Sequence, residues 1–301
     1  MTDWNDPDVA AWEARGDRIA VAGAHLPEQQ VFVLDVAAAD PTSTADPLLI
    51  IHGFPTSSFD WAHLVDDLAV ERRVVLVDLP GFGLSDKPDA PYTIAGAADA
   101  VAGACAALGL DRVALLTHDM GDTVGGELLA RSLDGTWDVE VTRRVLTNGS
   151  IYIAMAQLTD GQQLLLSMPD ERGERGPGPD LLAASLVATL APGNQATTDM
   201  RGAAELVCHM GGDALLPRTI RYIEERRANE ERFTGAIERH PSPLHVLWGP
   251  LDPIAVAAMT DRLLAARPDA TRTWIDGAGH YPQNEAPDAY VAAVIAALDR
   301  S

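Results

Sequence analysis

Three short segments carry side chains that could do chemistry together. In Val113-Ala114-Leu115-Leu116-Thr117-His118-Asp119-Met120-Gly121 an apolar run passes into a helical pattern, with an acid at the corner and small residues two positions to either side. A tight strand-to-helix turn of this kind needs small neighbours and lifts its central side chain above the sheet edge, where a nucleophile is exposed. The nearby helix N-terminus favours negative charge there. The corner residue is Asp119, and Gly-x-Ser-x-Gly occurs nowhere in the chain. Further on, Leu244-His245-Val246-Leu247-Trp248-Gly249-Pro250-Leu251-Asp252 places an acid just beyond an apolar run, and Gly277-Ala278-Gly279-His280-Tyr281-Pro282 places a histidine in a glycine-bounded loop. A lone acid after a strand is ordinarily a helix cap, and a lone loop histidine is ordinarily surface. Nucleophile, acid and histidine in this order, each at a strand end, instead spell a catalytic triad of Asp119, Asp252 and His280. The fourth piece, His52-Gly53-Phe54-Pro55, follows the apolar run Leu48–Ile51. There Gly53 permits an unusual backbone path and Pro55 stiffens the turn. The Phe54 and Met120 amides are expected to form an oxyanion hole. His52, Pro55, Trp61 and His118 flank these motifs and are expected to line the substrate site.

The elements that must position these groups are short apolar runs alternating with helix-like segments, the pattern of a mostly parallel sheet covered by helices. Strands are expected at Arg18–Val21, Val31–Val36, Leu48–Ile51, Val74–Val77, Val113–Leu116, Arg144–Leu146, Leu244–Leu247 and Arg272–Ile275. The first two read as an antiparallel opening. Unbroken Val, Leu and Ile runs mark strands buried on both faces. Helices are expected at Ile94–Leu108, Thr123–Ser132 and Ala286–Leu298. Between residues 150 and 231 no strand is legible, only helical patches such as Leu181–Leu190 and Ala203–His209 and a glycine- and proline-rich loop from Arg172 to Pro179. The chain therefore divides into an α/β core of residues 1–149 and 232–301 and a helical cap of residues 150–231. The mixed charges from Arg218 to Arg232 read as a solvated helical face, and Asp122 as a charge suited to its helix N-terminus.

Composition narrows the function classes. The 301 residues carry 22 Lys+Arg against 44 Asp+Glu, a formal charge of −22 that repels nucleic acid and anionic membrane. Cys105 and Cys208 are too few for a disulfide framework and are expected as buried free thiols. His25, His63, His240 and His245 lack ligand spacing, so no metal is expected. The N-terminus, Met1-Thr2-Asp3-Trp4-Asn5-Asp6, is acidic and lacks a signal pattern, and no apolar run approaches a membrane span. A cytoplasmic protein, monomeric or homodimeric, is the expectation.

On His52-Gly53-Phe54-Pro55, Asp78-Leu79-Pro80-Gly81-Phe82-Gly83-Leu84-Ser85-Asp86, His118-Asp119-Met120-Gly121, Gly249-Pro250-Leu251-Asp252 and Gly279-His280-Tyr281-Pro282, the chain resembles the α/β-hydrolase superfamily over almost its whole length. Its closest similarity is to the aspartate-nucleophile branch, the epoxide hydrolases and haloalkane dehalogenases. His118-Asp119-Met120-Gly121-Asp122 with His280-Tyr281-Pro282-Gln283 is also similar to mesoderm-specific transcript proteins. The resemblance implies an α/β-hydrolase fold: a mostly parallel eight-stranded sheet, helices on both faces, an inserted helical lid and no cofactor. A carboxylate attacking an ester would give an anhydride, so an aspartate nucleophile suits displacement at saturated carbon. His280, oriented by Asp252, would then activate a water against the resulting alkyl ester. Dehalogenases typically place Trp directly after the nucleophile and often Asn after His-Gly; Met120 and Phe54 stand there instead, with no side-chain N–H for a halide. The branch's epoxide hydrolases use lid tyrosines as proton donors, and Tyr222 and Tyr152 are the candidates, with His209 a substitute. The implied function is hydrolysis of a neutral, apolar epoxide by water to a diol. A dehalogenase drawing on Trp61, and a catalytically silent binding protein, are the alternatives.

Overall fold

The computed structural model describes residues 4–299, so Met1, Thr2 and Asp3 of the acidic N-terminal segment lie outside the described residues. Eight strands form one sheet: β1 (Asp17–Gly23), β2 (Leu26–Val36), β3 (Leu48–Ile51), β4 (Val74–Val77), β5 (Arg112–His118), β6 (Glu140–Thr147), β7 (Leu244–Trp248) and β8 (Thr271–Trp274). Their order is β1-β2-β4-β3-β5-β6-β7-β8. The first two pairings, β1 with β2 and β2 with β4, are antiparallel, and all later ones are parallel. This is the expected α/β-hydrolase architecture, antiparallel opening included.

The apolar runs explain where the core sits. In β3, Leu49 and Ile51 join the core on one face, while Leu48 and Ile50 join the core on the other. Val75 and Val77 of β4 alternate with Val74 and Leu76 in the same way. Side chains of successive strand residues point to opposite faces, so an unbroken apolar run is stable only when both faces are covered. Helices Ile94–Ala107 and Met120–Leu133 cover one face, through Ile94, Val101, Val124 and Leu128. Helices Pro7–Glu13 and Pro287–Leu298 cover the other, through Val9, Trp12, Tyr290 and Val294.

Several elements depart from the sequence reading. The Met120–Leu133 helix starts three residues earlier than periodicity suggests, because Gly121 belongs to the helix rather than to a loop. Strand β6 begins at Glu140 rather than Arg144; its first half carries the polar residues Glu140, Thr142 and Arg143, which hide the strand pattern. The Pro7–Glu13 and Ala258–Ala266 helices had no clear signal. Cys105 is buried as expected, whereas Cys208 is only partly so. Between β6 and β7 the described chain is helix and loop, including helices Asp160–Ser167, Pro179–Val187, Arg201–Cys208, Tyr222–Ala228 and Glu230–Arg239. Among the described residues no helix is long and apolar enough to cross a membrane. The parallel strands β3, β5, β7 and β8 all deliver their C-terminal ends to one sheet edge, the position where open α/β sheets place their sites.

Candidate active site

At the end of β5 the backbone turns at Asp119 with φ 50° and ψ −111°. A non-glycine residue at such a conformation is held there by its surroundings, and the strain is a mark of functional corners. The turn works only because its neighbours are small. A Cβ on Gly121 would lie 2.3 Å from the Ile51 carbonyl oxygen, and one on Gly53 would lie 2.7 Å from the Asp119 Cβ. Asp119 makes no capping bond to its own helix. Its Oδ2 instead accepts the Phe54 backbone N–H at 2.9 Å. The loop after β3 and the corner after β5 are thereby joined through the candidate nucleophile. Met120 follows as the first residue of the helix. The Phe54–Pro55 peptide is cis.

His280 and Asp252 meet as the chain order suggests, with Nδ1 of His280 2.8 Å from Oδ2 of Asp252. Asp252 is fixed from three further sides. Its Oδ1 accepts the Ile254 and Ala255 N–H groups at 2.7 and 3.0 Å, and its Oδ2 accepts Asn148 Nδ2 at 2.8 Å. Asn148, itself at φ 48°, also donates to the Gly249 and Gly279 carbonyls and so ties the acid loop to the histidine loop. Nothing in the sequence marked it beyond its place at the end of β6. Burial pulls the His280 imidazole down, but the carboxylates of Asp252, Asp119 and Glu285 push its pKa up to about 9. His118 behaves in the opposite way: burial and the neighbouring His280 charge push it down to about 4. Its Nε2 donates to the His280 carbonyl at 2.8 Å, so it braces the histidine loop as a neutral ring.

A cavity of about 550 Å³ reaches this constellation and is walled by Phe54, Pro55, His280 and Tyr281 at its inner end. A second, of about 420 Å³, touches Met120 and Tyr222. His52, Trp61, His118 and Asp119 itself lie just behind the linings of both. His52 faces backbone with both ring nitrogens, Nδ1 to the Gly53 carbonyl at 2.8 Å and Nε2 accepting from Leu79 N–H at 2.9 Å. Trp61 is fully buried, edge-on to His118 at 6.2 Å. Both are packed around the corner that carries Asp119.

The two tyrosines separate. Tyr222 is buried with its ring 5.6 Å from that of Phe54, and burial together with the Asp119 carboxylate raises its pKa. Tyr152 is turned elsewhere: its hydroxyl donates to Glu238 Oε1 at 2.7 Å, and Arg262 lies 3.9 Å over its ring. Tyr152 is therefore corrected to a structural tyrosine, bound to a carboxylate on the Glu230–Arg239 helix. His209 packs tilted against Trp4 with ring centroids 4.8 Å apart, on the side of the N-terminal segment.

Two further readings need correction. Arg226, expected on a solvated face, is 1% exposed. It donates to Thr123 Oγ1 at 2.7 Å, to the Ser150 carbonyl at 3.0 Å and to the Asp119 carbonyl at 3.4 Å, with its guanidinium 5.0 Å from the Tyr222 ring centre. One helical turn thus links the tyrosine to the strained corner. Asp122 does lie in the first turn of its helix, but it is fully buried, and burial, with the Asp119 carboxylate nearby, raises its pKa well above the usual value, so it does not act there as a simple charge. Replacing Arg226 with Met would strand the buried Ser150 carbonyl and take the guanidinium from Thr123 Oγ1 and from the Asp119 carbonyl, which keeps the Asp122 N–H. We expect a loss of about 2–3 kcal/mol in denaturant-unfolding stability.

The comparisons with known proteins bear on the family and the fold. Residues 48–293 match the model of the alpha/beta hydrolase family. The chain belongs to that family. Among its relatives, the alpha/beta hydrolase is 34% identical to the "Putative hydrolase LipZ" of Mycobacterium tuberculosis over 304 residues, covering 97% of this chain and 98% of that protein. It is 28% identical to the mesoderm-specific transcript protein of Mus musculus, covering 95% and 87%. Among solved structures, a thermophilic esterase from Thermogutta terrifontis superposes with TM-score 0.73 at 20% identity, covering 93% of this chain and 97% of that one. The enol-lactonase from Burkholderia xenovorans LB400 gives 0.72 at 20%, covering 94% and 100%. At these identities the structural likeness bears on the fold alone. The alpha/beta hydrolase is a hydrolase of this family's type, and among the described residues no cluster of His, Cys, Asp or Glu could hold a metal ion.

Proposed function

We propose that this hydrolase opens a neutral, apolar epoxide through a covalent ester on Asp119, and that water then releases a vicinal diol. The observation that carries the reading is the Asp119 carboxylate itself, at a strained corner with Oδ2 on the Phe54 amide. An aspartate there can attack through Oδ1 while the bound oxygen stays in the hole. The C–O bond of the epoxide breaks as the Asp119–carbon bond forms, and the released alkoxide takes a proton from Tyr222. In the second step His280 takes a proton from water, and the hydroxide attacks the ester carbonyl. That carbonyl oxygen already lies on the Phe54 N–H, where the developing oxyanion needs its donor. Collapse breaks the ester C–O bond; the departing alkoxide takes the proton of the new carboxyl group, which completes the diol and returns the Asp119 carboxylate. The proton held by His280 passes through water to the Tyr222 phenolate, so that both groups regain their starting states. The residues expected to touch or move reacting atoms are Asp119, His280 and Tyr222, with Asp252 holding His280 and with Phe54 and Met120 as amide donors.

The deciding assay supplies styrene oxide and 1-bromobutane to the purified protein and measures diol and bromide. Diol formation is expected, and bromide without diol would overturn the reading. Tyr222→Phe should slow ester formation about 10- to 100-fold in single-turnover experiments while leaving ester decay unchanged; an equal slowing of both steps would remove Tyr222 from its role as donor.

The pH dependence follows from the charges around His280. As a base it must be neutral, so ester decay rises with pH through its pKa. In the free enzyme that lies at about 9, held up in part by the Asp119 carboxylate. Esterification removes the Asp119 charge, so the midpoint of ester decay should fall below the midpoint of the free enzyme's imidazole, read by NMR titration. Identical midpoints would mean that the ester is not on Asp119.

A further inference from the structure

Resting on that reading, we infer that the non-reacting part of the substrate is an unbranched, uncharged hydrocarbon chain, which runs outward from Asp119 along the larger cavity and leaves between the Asp160–Ser167 and Pro179–Val187 helices. The cavity of about 550 Å³ begins at Phe54, His280 and Tyr281 and continues past Leu165, Leu182 and Leu186. It ends at Leu164, Met168 and Leu181, which line it and are also 63%, 39% and 59% exposed. The described chain exposes seven large hydrophobics, so three of them stand at this one mouth. Apolar side chains left in water at the edge of a cavity mark a surface that an apolar ligand covers.

Most polar side chains of the wall point to the same chemistry, because they are already used; the exception is Arg175, an exposed cation on the glycine- and proline-rich loop that lines the cavity. Ser185 donates to the Leu181 carbonyl at 2.8 Å and Thr189 to the Leu186 carbonyl at 2.7 Å. Thr159 and Gln162 satisfy each other's backbone in a capping box. Asp213 accepts the Gly178 and Ala214 amides at 3.1 Å. A chain bearing hydroxyls or amides would lose its hydration there and find few partners, which is costly, whereas methylenes lose nothing. The glycine- and proline-rich loop has a part in this. Gly173, Gly176 and Pro177 contribute wall with little side chain, which keeps the passage open.

The test separates binding from turnover. Straight-chain 1,2-alkanediols from four to ten carbons are titrated calorimetrically into the wild-type protein, and 1,2-epoxyalkanes of the same lengths are assayed for diol. Each added methylene should tighten diol binding by up to about fourfold until the cavity is filled. Leu181→Glu and Leu164→Glu, both at exposed positions, should weaken the ten-carbon diol at least tenfold and leave the four-carbon diol unchanged. Chain-length dependence without epoxide turnover would keep the chain path and overturn the epoxide reading. Epoxide turnover with binding that is flat from four to ten carbons, or variants that weaken all lengths equally, would overturn the chain path and leave the epoxide reading standing.

Discussion

Replacing His280 with Phe is expected to stop the reaction halfway, leaving one equivalent of substrate bound to Asp119. The base that activates water is lost, so turnover should fall by roughly 10³- to 10⁴-fold, while the first step keeps its nucleophile, its amide donor and its tyrosine. The variant should fold. Asp252 retains Asn148 Nδ2 and the Ile254 and Ala255 amides, so its carboxylate is not stranded. His118 bonds to the carbonyl of residue 280, which any side chain leaves in place. Peptide mass spectrometry reads the outcome. An epoxide adds its whole mass to the Asp119 peptide, because the broken C–O bond keeps its oxygen on the chain, whereas a haloalkane adds only its alkyl group in place of a proton. An unlabelled Asp119 after exposure to a substrate that the wild type consumes would sink the covalent scheme.

Gly121→Ala is the largest expected effect on stability. The new Cβ would sit 2.3 Å from the Ile51 carbonyl oxygen, 2.7 Å from that of His52 and 2.9 Å from the Ile51 carbonyl carbon. These are backbone atoms at the end of β3, so no side-chain rotation can relieve the overlap. A loss of about 3 kcal/mol is expected, at the upper end of ordinary overpacking, equivalent to roughly 5 °C in Tm for a chain of this length. Activity should fall further than stability alone implies, since the displaced segment leads into Gly53 and Phe54 and hence to the amide on Asp119. Gly161→Ala is the control: it lies in the Asp160–Ser167 helix, where a Cβ would meet only Thr159 Oγ1, at 3.8 Å, and should change stability by no more than about 1 kcal/mol, in the favourable direction. Equal effects of the two substitutions would mean that the close crossing of the Met120–Leu133 helix over β3 is not a constraint.

The order of Asp119, Asp252 and His280, the unbroken apolar strands and the glycines around the corner were legible in the sequence because local chemistry dictates them. A strand buried on both faces must be apolar throughout, and a backbone packed onto a neighbouring backbone must lack a Cβ. Such signals lie within a few residues of one another and survive without knowledge of the fold. What only the tertiary structure decided depends on contacts between residues far apart in sequence. Tyr152 and Tyr222 are chemically the same side chain, and only packing turns one to Glu238 and sets the other against Phe54 near Asp119. Arg226 sits in a charge-rich stretch that reads as solvated, yet its donors end on Thr123, Ser150 and Asp119. Asn148 looks like a strand terminus until the acid and histidine loops close around its amide. A side chain's type sets what it can do, but whether its desolvation is repaid by partners is settled by residues far away in the sequence, and the pattern around it carries no trace of them.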